Sequence, residues 1–355
     1  MEGRVRRNLT RISETNWRRL LTWLMGLILA GIIIYLIGHE IQSRSNRPLR
    51  LIVYAFSSQE EVLTQGIFPA FEQVWETETG EDVIIEGVFG PSGTLSVQIT
   101  LGAPADVAIL SNQRHIDWLK FSKCVDRDAN PVMFASTPLV ILTRPGNPKG
   151  ITDFTDLTQP GIRLLHADPG SSGVGVWAVL AEYGSAFLET GDHEAAKTQL
   201  EAIWRNVRLM GSSARATLTL FELGAGDALV TYEQEACFAQ KRSVPLDVIM
   251  PHRTILARHY AVIVDDNVLS FERPVAEAFM AFLLSDEGQH IMSRYYFRPA
   301  AFESDLLPVL DNPFTEEDLG GWTQAYNSLI ENVWQNNIEP FLELEPVTTM
   351  LEIGK

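Results

Sequence analysis

LRLIVYAFSSQEEVLTQGIFPAFEQVWETETGEDVIIEGVFG (residues 49–90) is the stretch whose periodicity decides the fold class. LRLIVYAF (49–56) reads as a buried strand. Val62, Ile67, Phe71, Val74 and Trp75 then fall at helical spacing before Gly80, which terminates the helix. DVIIEGVFG (82–90) is a second strand, GTLSVQITLG (93–102) a helix starting just after Pro91 and Ser92, and ADVAIL (105–110) a third strand. This order predicts a mainly parallel sheet covered on both faces.

Outward from there the pattern repeats. PLVILTR (138–144), IRLLHAD (162–168), ALVTYE (228–233), LDVIM (246–250) and YAVIVD (260–265) read as strands. DPGSSGVGVWAVLAEYG (168–184) becomes apolar at helical spacing after its Gly and Ser, and a long helix is expected from about Pro274 to Tyr296. GWTQAYNSLIENVWQ, near the C-terminus, predicts further helices, so the expected fold is two α/β lobes plus C-terminal helices.

The 355 residues are 46% hydrophobic and 21% charged, enough for two lobes with real cores. The net charge of -17 is uneven: residues 1–50 hold nine Arg and three Glu, and the rest holds 19 basic and 42 acidic residues, near -23. An acidic body argues against nucleic acid as a partner.

LLTWLMGLILAGIIIYLI (20–37) has 18 uncharged residues, just enough to cross a bilayer as a helix. Arg4, Arg6, Arg7, Arg11, Arg18 and Arg19 precede it, which keeps the N-terminus cytoplasmic and the body outside. A cleavable signal peptide is the competing reading, but the run is long for one and GHEIQSRSN offers no A-x-A-like site. Cys124 and Cys237 are the two cysteines; neither sits just after the apolar run, where a lipid would be attached. They are read as buried thiols rather than as a disulfide.

Three turns share small residues before a helix start: GPSGT (90–94), GSSGVG (170–175) and GSSARAT (211–217). A helix N-terminus presents unpaired N–H groups and the positive end of the helix dipole, so it can hold an oxyanion without Lys or Arg. Singly, each is an ordinary N-cap; three after strands, where ligands gather in open α/β sheets, are less ordinary.

Chemistry on the ligand finds little support in the sequence. Ser92 and Ser172 do not fit G-x-S-x-G, and the histidines are scattered without an evident base for either. HExxH and CxxC are absent, and DRDANP (126–131) starts like an EF-hand loop but has Pro131 where Gly and Thr137 where Glu are needed. No enzyme activity, metal or cofactor is therefore expected.

TPLVILTRPGNPKGITDFTDL (137–157), DPGSSGVGVWAVLAEYGSA (168–186), RATLTLFELGAGDALVTYEQEA (215–236), IMPHRTILARHYAVIVDDNV (249–268), AFMAFLLSDEGQHIMSRYYFRP (278–299) and GGW (320–322) resemble the periplasmic sulfate-binding proteins of ABC transporters. With GPSGTLSVQI and ADVAIL, the resemblance covers roughly residues 50–340 in order. It implies a two-lobed periplasmic-binding-protein-like fold of type II that closes over a dehydrated sulfate or thiosulfate, preceded here by the transmembrane helix. The matching ligand positions are Ser92, Ser172, Gly173, Val174 and Ala216.

Three positions depart from the family pattern. Tyr232 stands where the family has Trp, Phe56 followed by Ser57 and Ser58 where it has Asp, and Val176 where Arg is common. Ser57 and Tyr232 resemble the molybdate-binding proteins, which leaves molybdate or tungstate as alternatives. A site of donors alone suits anions without a proton, whereas phosphate keeps a proton and needs an acceptor. Glu233 and Glu235 flank Tyr232, but strand alternation would aim Tyr232 away from Glu233.

The expected organisation is a basic cytoplasmic segment (1–19), an anchor (20–37), a linker (38–50), lobe one (51–137 with 254–296), lobe two (138–253) and C-terminal helices and tail (297–355). The partners implied are an oxyanion and a permease in the same membrane. An anchored sensor, with its short cytoplasmic piece, and a tethered serine hydrolase are the rivals from other classes.

Overall fold

The computed structural model describes residue 17 and residues 22–35 and 48–343, and the chain divides at residues 49 and 50 into two units. In the first unit residues 22–35 are helical, with Trp23, Met25, Leu27 and Ile34 exposed. No helix among the described residues is long and apolar enough to cross a membrane; residues 20, 21, 36 and 37 of the apolar run lie outside them.

Leading into the second unit, β1 (Leu49–Phe56) buries Leu51, Val53 and Ala55 on one face and Tyr54 and Phe56 on the other, so its C-terminal half is covered on both faces. The chain winds through short helical turns over residues 57–67 into α1 (Phe68–Thr79), which ends at the left-handed Gly80. β2 (Val83–Gly90), α2 (Ser92–Thr100), β3 (Val107–Leu110) and α3 (Gln113–Phe121) complete this side. Tyr54, Leu95, Ile99, Leu110, Ile116 and Val262 form its core.

β4 (Val132–Thr143) then crosses to the other side, followed by β5 (Leu164–Ala167), α4 (Gly173–Thr190), α5 (His193–Trp204), β6 (Val207–Gly211), α6 (Ala214–Glu222), β7 (Ala228–Tyr232), α7 (Glu233–Lys241) and β8 (Asp247–Ile249). Val140, Leu165, Leu218, Phe221 and Leu229 form the second core. β9 (Arg253–Ile263) returns and leads to α8 (Arg273–Leu284) and α9 (Asp286–Arg294). The fold is two-lobed, with β4 and β9 as the crossing strands.

The main strand order is β2-β1-β3-β9-β4-β7-β5-β6. β1–β3, β5–β6 and β5–β7 pair in parallel, but β3–β9, β4–β9 and β4–β7 are antiparallel. The expected mainly parallel sheet is thus corrected to parallel wings joined by an antiparallel centre. β4 uses residues 132–138 against β9 and 139–143 against β7, so one strand serves both lobes.

The long helix expected from Pro274 to Tyr296 is two helices. Ser285 is extended (φ -66, ψ 158), and its Oγ accepts the Gly288 N–H at 3.1 Å as the cap of α9. Strand β7 stops at Tyr232, so Glu233 opens α7 instead of extending the strand.

From Gly173 to Ser185 α4 is buried on every side and mostly apolar; its buried Glu182 accepts the Trp204 Nε1–H at 2.9 Å. Trp177 meets Trp322 of α10 (Trp322–Ala325) at a ring distance of 4.7 Å. Trp334, on the wide-turn helix Tyr326–Ile338, meets Trp204 of α5 at 6.0 Å. Residues 344–355, the end of the expected tail, lie outside the described residues. Cys124 and Cys237 are both free thiols; Cys124 is buried and Cys237 half-buried.

Candidate functional site

Each parallel strand delivers its carboxyl end to one cleft, the position that open α/β sheets reserve for ligands. β1 brings Phe56, Ser57 and Ser58; β2 brings Pro91 and Ser92; β3 brings Ser111. From the other lobe come Ser172, Gly173 and Val174 at the start of α4, Ser213 and Ala214 at the start of α6, and Tyr232 at the end of β7. The empty space among them, counting the part open to solvent, is about 180 Å³. Among the described residues none of this lining carries a charged side chain.

Six of the seven residues singled out from sequence line this cleft: Ser57, Ser92, Ser172, Gly173, Val174 and Tyr232. Ala216 does not, because its N–H donates to Ser213 Oγ at 3.1 Å. In that turn the plain N-cap is what forms, and Ser213 and Ala214 face the cleft instead. Phe56, Ser58, Pro91, Ser111, Ser213 and Ala214 were not singled out. Ser111 had a usable signal, since it directly follows the apolar strand ADVAIL.

The α4 start differs from an ordinary cap. Ser172 is 3% exposed and its side chain caps nothing, which leaves the first-turn amides of Gly173 and Val174 without a capping side chain. Two glycines are needed here by close approach. A Cβ on Gly173 would stand 1.5 Å from Ser111 Oγ, and one on Gly175 would stand 2.5 Å from the Ala167 carbonyl oxygen.

The two walls touch. Gly93 N–H donates to Ser171 O at 3.0 Å, and Trp177 Nε1–H donates to Ser111 O at 2.8 Å. Arg215 reaches across to Glu61, with Nη2 to Oε2 at 2.8 Å, while its Nε holds Glu235 at 3.0 Å. Burial opposes ionisation of Glu61, but the Arg215 contact outweighs it and holds that carboxyl below its ordinary range. Arg298 pairs with Glu233 at 2.9 and 3.0 Å. Glu233 and Glu235 are therefore spoken for by arginines, and neither lines the cleft.

Three hydroxyls in the cleft are buried without a hydrogen bond: Ser58 Oγ, Ser111 Oγ and Tyr232 OH, on residues 0%, 1% and 1% exposed. An orphaned buried hydroxyl costs roughly 1–3 kcal/mol, so three in one cleft mark a place built for a ligand's acceptors. Burial, the dominant cause, pushes the Tyr232 phenol well above its ordinary range, against the opposing influence of the neighbouring Ser111 hydroxyl. Tyr232 thus stays a donor at any physiological pH.

Ser92 has the partner that sequence reading missed. Its Oγ lies 2.8 Å from His115 Nδ1 and accepts the Ser111 N–H at 3.0 Å. Burial, helped by Arg114, lowers the pKa of His115 to about 3. A ring so reluctant to take a proton is a poor general base at neutral pH, which argues against hydrolysis through Ser92.

Residues 51–298 match the bacterial extracellular solute-binding proteins. The chain belongs to that family. Within it, the chain is 33% identical to a sulfate-binding protein of Escherichia coli over 303 residues, covering 81% of this chain and 91% of that one. It is 31% identical to a thiosulfate-binding protein of Pseudomonas aeruginosa, covering 72% and 81%. The solved sulfate-binding protein of Mycobacterium tuberculosis superposes with a TM-score of 0.74 at 27% identity, covering 79% of this chain and 99% of that one. The family is extracytoplasmic, and its members named here are binding proteins, which supports a role without catalysis.

Proposed function

We propose that this protein captures sulfate or thiosulfate outside the cytoplasm and delivers it to an ABC importer. The observation that carries this reading is the set of orphaned hydroxyls, Ser58, Ser111 and Tyr232, facing the uncapped α4 start in a cleft without a charged side chain. A tetrahedral anion without a proton offers only acceptors and would satisfy them all. Ser57, Ser92, Ser172, the amides of Gly173 and Val174, and the Ser213–Ala214 turn complete the proposed contacts. The sulfate- and thiosulfate-binding relatives support the choice of anion.

In this reading residues 51–137 with 254–296 form one lobe and 138–253 the other, hinged on β4 and β9 and closing over the anion. The closed form is what a permease in the same membrane would recognise. The apolar run at 20–37 is proposed to anchor the binder beside it, raising effective concentration. Calorimetric titration with sulfate, thiosulfate, molybdate, tungstate and phosphate tests the reading. Tight sulfate or thiosulfate binding supports it, a preference for molybdate or tungstate would move specificity to Ser57 and Tyr232, and binding of none would remove it.

A further inference from the structure

Ser92 and His115 come from the first turns of different helices, yet each is 2% exposed and their side chains meet at 2.8 Å. A serine oxygen has two lone pairs and one proton, and the Ser111 N–H already occupies one lone pair. What His115 does at the other decides where the Ser92 proton goes. With the ring proton on Nδ1, His115 donates to the second lone pair and frees the Ser92 O–H for the cleft. With the ring proton on Nε2, the bare Nδ1 draws the Ser92 proton to itself, leaving only an oxygen toward the ligand.

We infer that His115 is a positioning residue: it holds the Nδ1–H tautomer and thereby makes Ser92 an obligate donor to a fully ionised oxyanion. This rests on the oxyanion reading above. The ring is well fixed for the task. Its own backbone N–H is held by Asn112 Oδ1 at 3.1 Å, and its ring packs tilted against Trp118, with the ring centres 4.9 Å apart. The depressed pKa keeps it neutral, so it carries one ring proton and the two tautomers are the only choices.

The test is the nitrogen spectrum of the full chain with isotope-labelled histidines, saturated with sulfate. His115 is expected to show a protonated Nδ1 and a bare Nε2. In parallel, His115→Leu should weaken sulfate binding by about tenfold or more, and His115→Leu with Ser92→Ala should weaken it no further than Ser92→Ala alone. Sulfate bound to a chain whose His115 carries its proton on Nε2, or losses that multiply in the double variant, would overturn the inference while leaving the oxyanion reading intact. Failure of the unaltered chain to bind sulfate would sink that reading and this inference with it. If His115→Leu does not fold, the tautomer measured on the unaltered chain decides.

Discussion

The starts of α4 and α6 carry the same signal, Gly-Ser-Ser before a helix, and use it oppositely. At α6, Ser213 turns its hydroxyl back on its own helix and caps Ala216. At α4, Ser172 leaves its helix uncapped and lies against the other lobe, where Gly93 N–H binds the carbonyl of the preceding Ser171. The lesson is that a cap residue is a cap only when nothing outside the helix competes for it. Packing from residues about 80 and 60 positions upstream, Gly93 and Ser111, separates the two turns, and local sequence contains none of that.

The largest effect is expected at Gly173. Gly173→Ala would push a methyl into Ser111 Oγ and hold the lobes apart, costing about 2–3 kcal/mol of anion affinity by calorimetry, roughly the price of overpacking a tight contact. Ser172→Ala should cost about 1–3 kcal/mol of affinity and leave the unfolding free energy nearly unchanged, because the hydroxyl stabilises no helix. Tyr232→Phe separates the two readouts by sign. Affinity should fall by about 1–2 kcal/mol, while the unliganded protein gains up to about 1 kcal/mol from losing an orphaned hydroxyl, measured by denaturant unfolding. Ser213→Ala sharpens the contrast from the other side, costing about 1 kcal/mol of stability as a lost cap, with a smaller effect on affinity than Ser172→Ala.

The smallest effect expected is that of pH on binding. His115 and His259, both fully buried, have folded pKa values of about 3, far below the ordinary histidine value, and Tyr232 is raised. Between pH 5 and 8 no proton moves at Ser92's partner, so anion affinity should be flat across that range. Stability behaves differently. The unfolded chain takes up protons at these two histidines below about pH 6.5 and the folded chain does not. Each therefore withdraws about 1.4 kcal/mol per pH unit as pH falls toward 3, visible as steeper acid unfolding than in a His259→Gln chain.

Much of this was legible in the sequence. Buried strands such as LRLIVYAF and ADVAIL declared themselves by continuous apolar runs, and the all-apolar face of α4 by its spacing. The crossing strands did not, because β4 and β9 change partners midway and their length depends on two lobes meeting. The break at Ser285 lies inside an uninterrupted helical periodicity, which records burial and not the turn that redirects the chain. At the site, Ser57, Ser92, Ser172 and Tyr232 sit at strand ends or helix starts, where local pattern can find them. Ser111 needed the rule of strand ends applied once more. His115 lies 23 residues from Ser92 with no motif joining them, so only the packed structure brings the two together.

The most direct measurement is a crystal structure with selenate, a tetrahedral dianion like sulfate whose selenium can be located by its anomalous scattering. One selenium site is expected in the cleft, with its oxygens in hydrogen-bond reach of the Gly173 and Val174 amides, Ser172 and Tyr232. Selenate bound in solution but located outside the cleft in the crystal, or seated there beyond hydrogen-bond reach of the Gly173 and Val174 amides, would contradict it.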